Sequence, residues 1–280
     1  MTTAFVLTGG GNLGAVQAGQ LRALFEAGEQ PDFIVGTSVG AINGAFLSGA
    51  CTQSGCADLA ETWFRMNRAA VFPSRPLLGL AGFAGRKPNL VPSSGLRNLL
   101  SRTLRFERLE DAPIPLHVVA CELRTGEEVL LSSGNAIDAI CASSAIPAVF
   151  PPVEISGRIL VDGGIANNAP ISHALELEAD TIWVLPCGYA CALPSAPQGA
   201  LGIALQAVSV LVHQRLATDV RRYYGTHDIR VVPSPCPVNV LPTDFSKSKR
   251  LMDDAYETTR TWLADGQPSW SVDRLTPHAH

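Results

Sequence analysis

Short apolar runs alternate along the chain with longer segments in which apolar residues recur every three or four positions. The apolar runs predict buried strands at residues 3–8, 33–35, 116–123, 128–132, 151–153, 158–161, 181–186 and 228–233. The longer spacing predicts helices at residues 15–27, 41–50, 56–68, 94–104, 135–143, 170–179, 200–224 and 247–263. Because strands and helices alternate throughout, we predict an α/β fold whose central, mostly parallel sheet carries helices on both faces.

The alternation continues to about residue 265, so we predict a single domain over residues 1–265 and a loose tail over residues 266–280. Residues 70–92 interrupt it with an apolar stretch rich in proline and glycine. A long apolar loop in a compact domain is usually functional. Two interpretations stay open: a lid or surface that contacts lipid, or a loop folded over the core.

Composition narrows the class of protein and its partners. Hydrophobic residues make up 46% of the chain and charged residues 16%, against about 25% charged in an average domain. The net charge of −4, without a basic cluster, argues against nucleic acid as the main partner. A strand-like run follows Met1 almost at once, and the seven cysteines contain no Cys-x-x-Cys pair. We therefore expect no signal peptide, reduced thiols, no metal site and a cytoplasmic protein.

One strand leads directly into a short glycine-flanked serine motif. The apolar run Phe33 to Val35 meets Gly36-x-Ser38-x-Gly40, and an alanine-rich helical run follows. A sharp strand-to-helix turn exposes its central hydroxyl at the helix N-terminus, where the helix dipole favours a developing anion. This context predicts Ser38 as a nucleophile.

A second glycine motif follows the first strand, at Gly9-Gly10-Gly11-Asn12-Leu13-Gly14. Glycines expose consecutive N–H groups that bind anions, so the loop has three interpretations: a dinucleotide loop, an oxyanion hole or a tight turn. A dinucleotide loop requires an acidic residue at the end of the next strand. Asp32 instead opens that strand, which disfavours dinucleotide binding.

Asp162 is the best candidate for the base that activates Ser38. It ends a predicted strand and precedes Gly163 and Gly164, and sites in open α/β sheets gather at the carboxyl ends of strands. The alternative is an ordinary turn aspartate.

A catalytic histidine is disfavoured by the positions of the histidines. His117 lies within a predicted strand, His173 and His213 lie in predicted helices, and His227 opens a strand at the opposite end. None ends a strand as Asp162 does.

Four sequence blocks together resemble the patatin-like phospholipase family, in that family's order. They are Gly-Gly-Gly-Asn-Leu-Gly at residues 9–14, Gly-Thr-Ser-Val-Gly-Ala at 36–41, Ala-Ser-Ser-Ala-Ile-Pro at 142–147 and Asp-Gly-Gly at 162–164. The resemblance implies a three-layer α/β sandwich, a Ser38–Asp162 dyad, lipid acyl hydrolase activity and no metal or other cofactor. It also implies an oxyanion hole formed by Gly9, Gly10, Gly11 and Asn12, with Gly14, Gly36, Gly40, Gly163 and Gly164 as motif glycines.

The chain departs from the family pattern at Leu13, where members usually carry arginine or lysine. A cation there would strengthen the field around an oxyanion, so its absence affects the rate or the preference for anionic phospholipid.

We predict a serine lipid acyl hydrolase of the phospholipase A, lysophospholipase or esterase type, which cleaves carboxylic esters of lipids or other fatty-acyl substrates through an acyl-enzyme. Residues 70–92 are the predicted site of any peripheral membrane contact. The alternatives are an acyltransferase on the same scaffold, a catalytically weak lipid-binding or regulatory protein, and a nucleotide-dependent enzyme that uses the glycine loop.

Overall fold

The computed structural model describes residues 1–72, 89–188, 196, 198–236, 240 and 244–275. Its strands are β1 (Thr3–Leu7), β2 (Phe33–Thr37), β3 (Leu116–Glu122), β4 (Glu128–Leu131), β5 (Val153–Ile155), β6 (Arg158–Asp162), β7 (Thr181–Leu185) and β8 (Asp228–Val231). Its α-helices are α1 (Gly14–Glu26), α2 (Val39–Gly49), α3 (Gln53–Arg65), α4 (Arg68–Val71), α5 (Ser94–Thr103), α6 (Ala136–Ser143), α7 (Ile171–Glu176), α8 (Ala200–Tyr223), α9 (Ser248–Ala264) and α10 (Trp270–Asp273).

The strands form one sheet that is mostly parallel, which confirms the predicted fold class. Strands β3, β2, β1, β7 and β8 pair in that order, all in parallel. Strands β4 and β6 pair with β3 in the antiparallel direction, and β5 forms a hairpin with β6. The parallel strands are connected through helices, as parallel pairing requires.

Strands β2 and β6 meet end to end along one edge of β3. Val118 of β3 pairs with both β2 and β4, whereas Ala120 pairs with both β4 and β6. A strand residue has one neighbour on each edge, so β2 and β6 share the edge opposite β4. They run in opposite directions, because β2 is parallel and β6 antiparallel to β3. Their carboxyl ends, which carry Ser38 and Asp162, therefore meet beside the middle of β3.

Helices cover both faces of the sheet, which gives the three-layer arrangement. Along β1, Phe5 and Leu7 belong to a cluster completed by α1, α2, α3 and α9, while Ala4 and Val6 belong to a second cluster with α7 and α8. Side chains of a strand alternate between the faces of a sheet, so each face buries its own apolar layer.

Three predicted segments differ from the structure or lie outside it. The predicted helix at residues 56–68 begins earlier, at Gln53, because Thr52 accepts a hydrogen bond from the Gly55 N–H and so caps α3. The expected loose tail contains helix α10, and Leu275 is buried in the second cluster. Of the apolar loop at residues 70–92, residues 73–88 lie outside the described part.

A helix that spans a membrane needs about 20 predominantly apolar residues. Within the described ranges, none of the helices combines the length and apolar character needed to cross a bilayer.

Candidate active site

Ser38 occupies a sharp turn between β2 and α2. Its backbone angles are φ 55° and ψ −123°, a region that costs a non-glycine residue about 1–3 kcal/mol. Two glycines make the turn possible. A Cβ atom on Gly36 would lie 2.7 Å from the Gly40 carbonyl oxygen, and one on Gly40 would overlap the Leu7 carbonyl. The backbones of β1, β2 and α2 therefore pass closer than any side chain would allow.

Asp162, at the end of β6, lies within hydrogen-bonding distance of Ser38. The Ser38 Oγ–H donates to Asp162 Oδ2 at 2.7 Å, and the Gly164 N–H donates to Asp162 Oδ1 at 2.8 Å. Both residues are 7% exposed. Gly163 lies so close to the Val119 carbonyl of β3 that a Cβ atom would overlap it. The structure thus brings together the two residues predicted from separate motifs, without an intervening histidine.

Burial raises the pKa of the Asp162 carboxyl to about 6, although the hydrogen bonds from Ser38 and the Gly164 N–H act in the opposite direction. An apolar environment disfavours the ionised form and so makes the carboxylate a stronger base than an exposed aspartate. The group is therefore still ionised at neutral pH but has the higher basicity that a general base needs.

Ser143, in the third sequence block, fixes the backbone of the turn. The Ser38 N–H donates to Ser143 Oγ at 2.8 Å, and the Ser143 Oγ–H donates to the Val119 carbonyl at 2.5 Å. Ser143 is fully buried at the end of α6. The sequence predicts no role for Ser143, and only its place in the serine pair of that block sets it apart.

The glycine loop joins β1 to α1 beside Ser38. The Gly9 N–H donates to the Asn168 carbonyl at 3.3 Å, so this predicted oxyanion donor is already engaged. Within the described residues, the N–H groups of Gly10 and Gly11 have no hydrogen-bond partner. Gly11 has φ 61°, a conformation in which adjacent N–H groups can form an anion-binding concavity. Asn12 lies beside Gly11 on the wall of the adjoining cleft, and its side chain donates to the Asp244 carbonyl.

Leu13 and Gly14, at the end of the glycine loop, contribute to the packing of the helices. Leu13 packs against the first hydrophobic cluster. A Cβ atom on Gly14 would overlap Val39 and lie 2.7 Å from Trp63, so glycine lets α1, α2 and α3 approach one another.

An apolar cleft of about 500 Å³, including its open mouth, leads to Ser38. Its walls include Val39, Ile42, Trp63, Phe72, Phe150 and Phe245. The Phe72 and Phe150 rings are stacked with centroids 5.3 Å apart, and Trp63 stacks on Phe245 at 6.2 Å. Such walls suit an acyl chain, since binding it removes apolar surface from water.

The described histidines have other partners, and none of them lines the cleft. His173 lies between Glu128 and Glu176, at 3.3 and 3.0 Å, and His117 Nδ1 lies 2.7 Å from Ser132 Oγ. In the same described ranges, no three His, Cys, Asp or Glu side chains converge on a position that would hold a metal ion.

The turn, the Ser38–Asp162 contact and the mostly parallel sheet define an α/β protein in which a sharp strand-to-helix turn holds a serine beside a buried carboxyl group. Residues 5–175 match the family model described as patatin-like phospholipase, and the chain belongs to that family.

A mammalian and a bacterial protein are similar to about two thirds of the chain. The chain is 27% identical over 191 residues to patatin-like phospholipase domain-containing protein 7 of Mus musculus. That alignment covers 66% of this chain and 13% of the mouse protein. It is 30% identical over 177 residues to an NTE family protein of Mycobacterium tuberculosis. That alignment covers 63% of this chain and 46% of the relative. The match therefore spans less than half of either relative. Among solved structures, VipD from Legionella pneumophila has the same fold, with a TM-score of 0.53, 16% identity, and coverage of 95% of this chain and 67% of that chain.

Proposed function

We propose that the protein is a serine hydrolase that cleaves carboxylic esters of lipids through the Ser38–Asp162 dyad. The observation that carries the proposal is the 2.7 Å contact between Asp162 Oδ2 and the Oγ atom of Ser38, which lines an apolar cleft. A hydroxyl in contact with a desolvated carboxylate is the arrangement that generates an oxygen nucleophile. The patatin-like phospholipase family supports a lipid as the substrate.

The first half of the reaction forms an acyl-enzyme. Asp162 accepts the Ser38 proton as Ser38 Oγ attacks the ester carbonyl carbon. The N–H groups of Gly10 and Gly11 stabilise the oxyanion of the tetrahedral intermediate. When that intermediate collapses, the bond to the leaving alkoxide breaks, and Asp162 returns the proton to it. The alcohol or lysolipid then departs.

The second half releases the fatty acid. Asp162 accepts a proton from water, and the resulting hydroxide attacks the acyl carbonyl. The Ser38–carbon bond breaks, and the proton returns to Ser38 Oγ. The apolar cleft holds the acyl chain during both halves, so the substrate remains aligned while the leaving group exchanges with water.

Labelling with an alkyl fluorophosphonate tests the nucleophile directly. We expect Ser38 Oγ to displace fluoride and form one covalent adduct per chain, which peptide mass spectrometry locates on Ser38. Ser143 and Ser144 lie in a different tryptic peptide and act as internal controls. Labelling of either of them, or no labelling of the folded protein, would contradict the proposal. Extraction of the products from a lipid ester then separates hydrolysis, which gives free fatty acid, from transfer to an added alcohol.

The pH dependence of kcat/KM reports on the proposed base. Because the carboxylate is the active form and the pKa of Asp162 is about 6, activity is lost as pH falls through that value. We expect kcat/KM at pH 5 to be about tenfold below its plateau, measured as released fatty acid.

Asp219→Asn is the matched control for the pH profile. Asp219 also has a pKa raised by burial, but it lies on α8 and bonds to Arg215. The acid limb should remain unchanged in this variant. A flat profile between pH 5 and pH 7.5 in the wild type would show that another group is the base.

A further inference from the structure

Two buried amides and an indole form a continuous hydrogen-bonded chain next to the glycine loop. Gln17 on α1 and Asn43 on α2 are 0% exposed, and Trp63 on α3 is 2% exposed. Asn43 Nδ2 donates to Gln17 Oε1 at 2.9 Å, and Trp63 Nε1 donates to Asn43 Oδ1 at 2.9 Å. Polar side chains at such depth are retained only where hydrogen bonds compensate their burial.

The other bonds of the two amides hold both ends of the glycine loop. Gln17 Nε2 donates at 2.9 Å to the carbonyl of Thr8, the residue before Gly9. Asn43 Nδ2 donates at 3.0 Å to the carbonyl of Gly14, the last residue of the loop. Gln17 Nε2 also donates to the Leu185 carbonyl at the end of β7, at 2.9 Å. The loop is thus anchored to the sheet at one end and to helix α2 at the other.

We propose that Gln17 and Asn43 are positioning residues for ester hydrolysis, which hold the glycine loop so that the Gly10 and Gly11 N–H groups point at the oxyanion. The inference rests on the proposed function and deepens it. Glycine-rich backbone has wide conformational freedom, and oxyanion donors are effective only when their orientation is fixed before the reaction. The two amides supply that constraint from outside the loop and do not contact the substrate.

The chain offers a matched control one helical turn away. Gln20 is also on α1 and 0% exposed, and its Nε2 donates to the carbonyls of Pro186 and Pro233 at 3.2 and 3.0 Å. Neither carbonyl belongs to the glycine loop. Gln17→Met and Gln20→Met therefore make the same change in the same helix, and each deprives two backbone carbonyls of a donor. Only the first removes the bond to Thr8, which leads into the loop, and the acceptor of Asn43, which holds the other end of the loop.

We expect Gln17→Met to lower kcat about 10- to 100-fold with KM within about threefold of the wild type, because misplaced oxyanion donors weaken transition-state binding. Gln20→Met should leave both constants within about threefold. Rates are measured with a short-chain ester at a temperature at which circular dichroism shows both variants to be folded. Equal losses of kcat in the two variants overturn the positioning role.

A pair of cleft ligands separates oxyanion binding from acyl-chain binding. In an alkyl trifluoromethyl ketone, Ser38 Oγ bonds to the carbonyl carbon, its proton passes to Asp162, and the carbonyl oxygen becomes an oxyanion. The matching trifluoromethyl alkane occupies the cleft without this step. We expect Gln17→Met to weaken binding of the ketone by the same factor by which it lowers kcat/KM. Binding of the alkane should remain unchanged. Equal weakening of both ligands would show a general effect on the cleft instead.

Three further variants complete the test. Gln17→Glu keeps the acceptor for Asn43 and, when protonated in this buried site, one donor, so kcat should lie between those of Gln17→Met and the wild type. If Gln17→Met does not fold, Gln17→Glu compared with Gln20→Glu decides in the same way. Hydrolysis that persists in Ser38→Ala overturns the proposed function itself. Hydrolysis that needs Ser38 but is equal in the Gln17 and Gln20 variants overturns only the positioning role.

Discussion

Ser38→Ala is expected to lower kcat for ester hydrolysis by about 10⁴-fold or more and to abolish fluorophosphonate labelling. Without Ser38 Oγ no acyl-enzyme forms, and the remaining rate comes only from substrate binding and the oxyanion donors. The apolar cleft is unchanged by this substitution, so an unreactive lipid should bind the variant as it binds the wild type. The measurement is the initial rate of fatty-acid release, with binding of a non-hydrolysable ether lipid in parallel.

Ser48→Ala is the matched control for this variant. Ser48 lies on α2, the same helix that follows Ser38, and is 0% exposed. Its Oγ has no hydrogen-bond partner in the part of the chain that the structure describes. Removing it should leave kcat within about threefold, since it touches neither the cleft nor the dyad. A Ser38→Ala variant that is folded and retains more than a few per cent of the wild-type kcat would eliminate Ser38 as the nucleophile.

Much of the fold was predictable because each parallel strand is a short apolar run that ends at a glycine, a proline or a polar turn. Buried strands on both faces need continuous apolar sequence, and that signal survives without any knowledge of tertiary contacts. The first residues of the helices were harder to predict from the sequence. The cap at Thr52 places α3 three residues earlier than its apolar spacing suggested, because the first turn of a helix carries its signal in a polar side chain.

The candidate dyad was also predictable, but the geometry that unites it was not. Ser38 and Asp162 each end a strand, and this position in the chain pointed to a common edge of the sheet. Sequence did not indicate that β6 runs antiparallel and meets β2 along the same edge of β3. That arrangement depends on pairing between residues 82 positions apart for β2 with β3 and 38 to 42 positions apart for β3 with β6, which local patterns do not encode.

Buried polar residues were the features that sequence reasoning missed. Gln17 and Asn43 lie within helical segments, where a polar residue is ordinarily assigned to the solvent side. In the structure both are fully buried and satisfied. Their roles become visible only when the backbone carbonyls of Thr8 and Gly14 are known to face them, since those carbonyls are the partners that make burial tolerable.

Asp162→Asn is expected to lower kcat by about 10³- to 10⁴-fold, because the amide hydrogen-bonds to Ser38 but accepts no proton at neutral pH. The shape of the site is preserved, since the amide oxygen still accepts from the Gly164 N–H. Because an Asn-Gly sequence deamidates and would restore the aspartate, Asp162→Ala is measured beside it in freshly prepared protein. Asp219→Asn should keep the wild-type kcat. A loss of less than about tenfold in both Asp162 variants would show that Ser38 is activated by another group.

Asp162→Asn should also make the protein more stable at pH 8. The pKa of Asp162 rises from 3.8 to about 6 on folding, so between these values the folded state binds more protons than the unfolded state. The stability that this group contributes is therefore complete below pH 3.8 and is lost as pH rises through about 6. Above that pH the free energy of unfolding is lower by about 3 kcal/mol. An amide never ionises and avoids the cost. We expect the difference in unfolding free energy between Asp162→Asn and the wild type, measured by urea denaturation, to favour the variant at pH 8 and to shrink by about 2 to 3 kcal/mol at pH 4, where the unfolded aspartate is still partly ionised. A difference that does not change with pH would mean that Asp162 is not held as a desolvated carboxylate, and would remove the source of its proposed basicity.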